Sequence, residues 1–85
     1  MWATMKHGFT PVWIWEKDGL RRAVGDVTTA ATWLVERWPD DHRGTDAHVT
    51  AMQACLLALE GKGDAATVRA LFVTAAREAD VLAMD

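Results

Sequence analysis

The sequence predicts an α+β domain: an N-terminal two-stranded β-hairpin packed on three amphipathic α-helices, in the order β-β-α-α-α. Three observations carry this expectation. Asp26–Pro39 reads DVTTAATWLVERWP, with Val27, Ala30, Ala31, Leu34 and Trp38 at i, i+3, i+4, i+7 and i+11, the spacing of one helical face. Val12-Trp13-Ile14-Trp15 is a run of β-formers followed by the turn pair Asp18-Gly19. Two further helical stripes follow, separated by Gly61 and Gly63.

Each element has a local cause. Residues 1–8 carry no period and are expected to form an arm ahead of a single domain over 9–85, although Trp2 is an unusual residue to leave in water. Pro11 suits the first position of a strand. A three-residue loop, Lys17-Asp18-Gly19 with Gly19 left-handed, would set Glu16 opposite Leu20. That register places Val12, Ile14, Leu20 and Val24 on one face and Trp13, Trp15, Arg21 and Ala23 on the other. A two-residue Asp18-Gly19 turn would instead put Trp13 and Trp15 with Leu20 and Val24. The first is preferred because it gathers the aliphatics. Two strands alone are marginal in water, so the hairpin must lie on a helix or pair with another chain.

Asp26 is a good N-cap for the first helix, and Pro39 ends it by removing an N–H and disfavouring helical dihedrals at Trp38. Asp40–Gly44 is a polar loop. Thr45 or Asp46 caps the second helix, which runs to Glu60 on a stripe of Ala51, Met52, Cys55, Ala58 and Leu59, with His48 on its first turn. Asp64 caps the third, with Val68, Leu71, Phe72, Ala75 and Ala79 inward. Val81–Met84 either extends that helix or folds back as a short apolar plug. The expected core is therefore Val12, Ile14 and Val24 of the hairpin, Ala30, Leu34 and Trp38 of the first helix, Met52, Cys55 and Leu59 of the second, and Val68, Leu71, Phe72 and Ala75 of the third.

Composition narrows the function. The chain has 85 residues, 51% hydrophobic and 25% charged, with nine basic against twelve acidic side chains and a formal charge of −3. That is the make-up of a globular domain with no broad positive field, so nucleic acid is a disfavoured partner. The single cysteine, Cys55, excludes an intrachain disulfide, the start has no secretory h-region, and the longest apolar run, Ala54–Leu59, is too short to span a bilayer. These features point to the cytoplasm.

No chemical constellation stands out, so no enzyme, metal or cofactor is expected. Asp40, Asp41, His42, Asp46 and His48 lack metal-ligand spacing and are ordinary loop and cap vocabulary. Cys55 sits mid-stripe with no cation one turn away to lower its pKa. Gly61-Lys62-Gly63-Asp64 follows a helix, unlike a phosphate loop, which follows a strand. The second and third helices permit a helix-turn-helix reading, but Arg69 and Arg77 are offset by Glu78 and Asp80.

The tryptophans are the distinctive feature. Trp38 completes the first helix's stripe, whereas Trp33 lies ~120° from it. Trp13 and Trp15 occupy the hairpin face opposite the aliphatics. Trp13, Trp15 and Trp33, with Arg21 beside them, form the candidate interface, because tryptophan anchors interfaces well. The partner would be another protein or a second copy of the chain. The local alternatives are a cation–π pair of Trp13 or Trp15 with Arg21 or Arg22, or the N-terminal arm folded across them.

Taken in order, Pro11-Val12, Trp38-Pro39, Ala54-Cys55 with Leu59 and Gly61, Val68-Arg69-Ala70-Leu71-Phe72 and Ala75-Ala76-Arg77-Glu78-Ala79 resemble a family of short bacterial proteins, frequent in rhizobia, catalogued as domain of unknown function nine-eight-two. The resemblance runs from about Phe9 to Leu82 and departs from the family at Val68, where Ala is usual. It implies a compact α+β fold and carries over no activity or catalytic residue.

Overall fold

The computed structural model describes residues 7–16 and 19–85. Strands β1 (Gly8–Trp15) and β2 (Arg21–Asp26) lead into helix α1 (Val27–Glu36), a 3-10 turn (Asp40–His42), helices α2 (Asp46–Leu59) and α3 (Ala65–Glu78), and a third strand, β3 (Leu82–Met84). The architecture is α+β, with one departure from expectation. Val81–Met84 folds back and pairs with β1, so the hairpin becomes a three-stranded antiparallel sheet in the order β2-β1-β3. This supplies the third strand that a lone hairpin lacks.

The pairs Val12–Val24, Trp13–Ala23, Ile14–Arg22 and Trp15–Arg21 set the hairpin register. It continues to Glu16, whose N–H donates to Leu20 O at 2.6 Å, with Gly19 left-handed at φ 76°. Lys17 and Asp18, expected in the loop, lie outside the described residues. Leu20 falls on the core side by register yet is exposed, because it sits at the turn end beyond the last core residue, Ile14. The pairing Gly8–Asp26 leaves four steps along β1 against two along β2, and Pro11, which cannot donate to a ladder, lies in that irregular stretch. Of the expected arm, residues 1–6 lie outside the described residues, His7 Nε2 sits 3.1 Å from Ala58 O, and Gly8 already belongs to β1.

Each helix is capped as its sequence requires. Asp26 accepts from Thr29 N at 2.7 Å, Thr45 from His48 N at 3.2 Å, and Asp64 from Thr67 N at 2.7 Å. That bond holds the Asp64 carboxyl below its ordinary pKa. Helix α1 ends at Glu36 rather than Trp38: Arg37 is already non-helical at φ −125°, ψ 7°, one residue before the position that Pro39 restricts. Trp38 leaves the helix but stays in the core at 2% exposure, stacked on His48 at 5.8 Å and tilted against Phe72 at 5.7 Å.

Helices α1 and α3 pack on the sheet and α2 packs on both of them, so α2 is the outermost layer. The core contains Val12, Ile14, Val24, Ala30, Leu34, Cys55, Val68, Phe72 and Ala75. Helix α2 corrects the expected stripe. Its buried residues are His48, Ala51, Ala54, Cys55 and Ala58, whereas Met52 is half-buried and Leu59 is 43% exposed. Alanines let α2 approach α1 and α3 closely, with Trp38 stacked on its His48 and tilted against Phe72 of α3. Leu71 of α3 is likewise only half-buried.

A tryptophan sheet face and an adjoining groove

Alternation along β1 turns Val12 and Ile14 into the core and Trp13 and Trp15 away from it. No described helix covers that outer face. Trp13 is 39% exposed and Trp15 44%. Directly opposite Trp13 stand Ala23 of β2 and, through the third strand, Met84, itself 53% exposed. The Arg21 guanidinium lies 5.9 Å from the Trp15 ring centroid, a cation–π contact that coexists with solvent exposure. Met84 was not foreseeable without β3.

Trp33 is a correction. It is 8% exposed, turned into the protein with the Arg37 guanidinium 5.1 Å over its ring, and takes no part in the outer face. The burial arc of α1 is wide enough to take Trp33 beside Leu34, because α1 is covered by both the sheet and α2.

A groove of 540 Å³ opens at the turn end of the sheet, between β1, the end of α1 and Val81. Trp15, Trp33 and Trp38 line it with Pro39 and Val81, and Arg37, Arg43, Glu16, Glu36 and Asp40 complete its rim. Glu16 holds two arginines, Arg22 at 2.7 Å and Arg37 at 3.0 Å, tying the hairpin end to α1. The Arg22 hydrogen bond is the main reason its carboxyl lies below the ordinary carboxylate range. Arg43 donates to Asp40 at 3.2 Å and to Val35 O at 2.9 Å. The Trp38 indole Nε1 is buried and has no acceptor among the described residues.

His48, Arg69 and Arg77 have structural employment. Gly44 N–H donates to His48 Nδ1 at 3.0 Å, which leaves Nε2 to carry the proton and donate it to Leu34 O at 2.8 Å. Among the described residues, no three of His, Cys, Asp or Glu are grouped to hold a metal ion. Burial pushes the Cys55 thiol up to about 11, opposite to what a nucleophile needs. Arg69 donates to Thr10 O at 2.8 Å and to Asp85 O at 2.6 Å, and Arg77 pairs with Asp85 at 3.5 Å, so both helix-three arginines hold neighbouring strand and tail segments. No described helix is long and apolar enough to cross a membrane.

Comparison with known proteins gives one match. The family model described as "Protein of unknown function (DUF982)" matches residues 10–83, nearly the whole chain. No curated protein and no solved structure matches.

Proposed function

The chain belongs to the DUF982 family, whose description assigns no activity, and from the molecule itself we propose a protein-interaction module that associates with a second copy through the outer face of its sheet. One observation carries this reading: the described helices pack on one side of the sheet only, and its other side presents Trp13, Trp15 and Met84 together. Trp and Met are the residue types enriched at interface centres, and an aromatic patch rimmed by Arg21 suits a self-complementary two-fold contact. The module works without chemistry of its own, as a cytoplasmic adaptor.

Light scattering across a dilution series tests it. The wild type should dimerise, and Trp13→Ser or Trp15→Ser should weaken the dimer at least tenfold while leaving the circular dichroism spectrum unchanged. A monomer at every concentration, identical in both variants, ends the self-association reading.

A further inference from the structure

We propose that the groove between the sheet end and the end of α1 binds a small uncharged planar ring bearing a carbonyl acceptor. Its volume of 540 Å³ is in the range of small-molecule sites, and three indoles with Val81 supply the flat apolar walls such a ring requires.

The charges around it select against ions. Three carboxylates, those of Glu16, Glu36 and Asp40, face two guanidiniums, those of Arg37 and Arg43, so the rim offers an anion no net attraction. A cation is disfavoured for another reason: the Arg37 guanidinium already lies 5.1 Å over the Trp33 ring, on the aromatic face an ammonium would seek. Unused polar capacity includes donors beside the carboxylates of Glu36 and Asp40. Trp38 lines the groove while its buried Nε1 has no acceptor, and buried donors are ordinarily paired. Arg37 and Arg43 each use only part of their five N–H groups, Arg37 on Glu16, and Arg43 on Asp40 and Val35 O. Flat walls with surplus donors and no net pull on an anion fit a neutral aryl carbonyl. The site shares Trp15 with the proposed dimer face, whereas Trp13 and Met84 belong to that face alone and Trp33 and Trp38 to the groove alone.

The five tryptophans give five indole N–H resonances, which makes nitrogen-15 NMR the direct test. Benzamide, benzoate and benzylammonium are titrated separately into the full-length chain, with the indole signals assigned sequentially. Benzamide should move the Trp38 and Trp33 signals, Trp38 downfield, with a dissociation constant on the order of millimolar, as a fragment of this size allows. Benzoate and benzylammonium should bind at least tenfold more weakly. Trp38→Phe, which keeps a ring and removes the donor, should weaken benzamide about tenfold; if that variant does not fold, the wild-type titrations decide alone. Equal binding of all three probes, shifts confined to Trp13 and Trp15, or a motionless Trp38 signal at 20-fold the millimolar scale would each overturn the proposal. Because Trp13 lies outside the groove, dimerisation read by mass in Trp13→Ser and benzamide binding read at Trp38 can each fail without the other.

Discussion

His48 shows how much one side chain holds in place. Its Nδ1 accepts from Gly44 at the loop, its Nε2 donates to Leu34 O in α1, and its ring stacks on Trp38. Replacing it with leucine keeps the volume but orphans a donor and an acceptor, so His48→Leu should cost about 2–4 kcal/mol in urea denaturation. Cys55 makes a pH prediction. Its thiol has a pKa of about 11 in the fold against 9.0 as the reference value. The folded state therefore keeps its proton where the unfolded chain loses it. This contribution is intact below pH 9 and is lost as pH rises from about 9 to 11. The urea midpoint should fall across that window, and Cys55→Ala should flatten the fall; an unchanged profile in the variant would show that other groups cause it. Both residues were readable as packing groups from their positions in an apolar stripe. What the sequence could not disclose was their partners, since the Leu34 carbonyl and the Trp38 ring arrive from a helix end fourteen and ten residues away.

At the scale of elements, helices α2 and α3 end in the same way, and only one of the endings was legible. After α2, Gly61 N–H donates to Ala58 O and Lys62 N–H to Leu57 O, with Gly61 left-handed at φ 80°. After α3, Asp80 N–H donates to Arg77 O and Val81 N–H to Ala76 O, with Asp80 left-handed at φ 61°. Glycine announces such a stop and aspartate does not, so the α3 terminus, and with it β3, stayed open between two readings. Asp80→Gly relieves the Cβ crowding of that conformation and should stabilise the fold by about 0.5–1 kcal/mol, seen as a higher urea midpoint. A lower midpoint would mean the Asp80 side chain supports the turn. Helix α2 was misjudged for a different reason. Apolar residues surround most of it, so periodicity alone could not choose between the alanine face and the Met52–Leu59 face. Close packing against two helices selected the alanines. Ala51→Leu should then destabilise by about 1–3 kcal/mol, whereas Leu59→Gln should cost under about 0.5 kcal/mol.

For the whole molecule, the chain's last strand and its open sheet face are mechanically one problem. Strand β3 is short, joined to β1 by the Trp13–Met84 and Ile14–Leu82 pairs and by Trp15 N–H donating to Val81 O at 2.8 Å. Arg69 of α3 reaches across to Thr10 O on β1 and Asp85 O beyond β3, and so clamps both strands to the helix layer. Arg69→Ala removes that clamp without touching the tryptophans. Its exposed position limits the loss of global stability to about 1 kcal/mol. The local effect is larger: β3 opens more often, so the Trp15 amide, which depends on Val81 O, should exchange with deuterium several-fold faster than amides in the β1–β2 ladder. With Met84 displaced from beside Trp13, the outer face also loses an apolar neighbour, and the proposed dimer should weaken in parallel with the exchange rate. Faster Trp15 exchange with dimerisation unchanged would show that Trp13 and Trp15 suffice without the third strand. Unchanged exchange would show that the strand pairing holds β3 on its own.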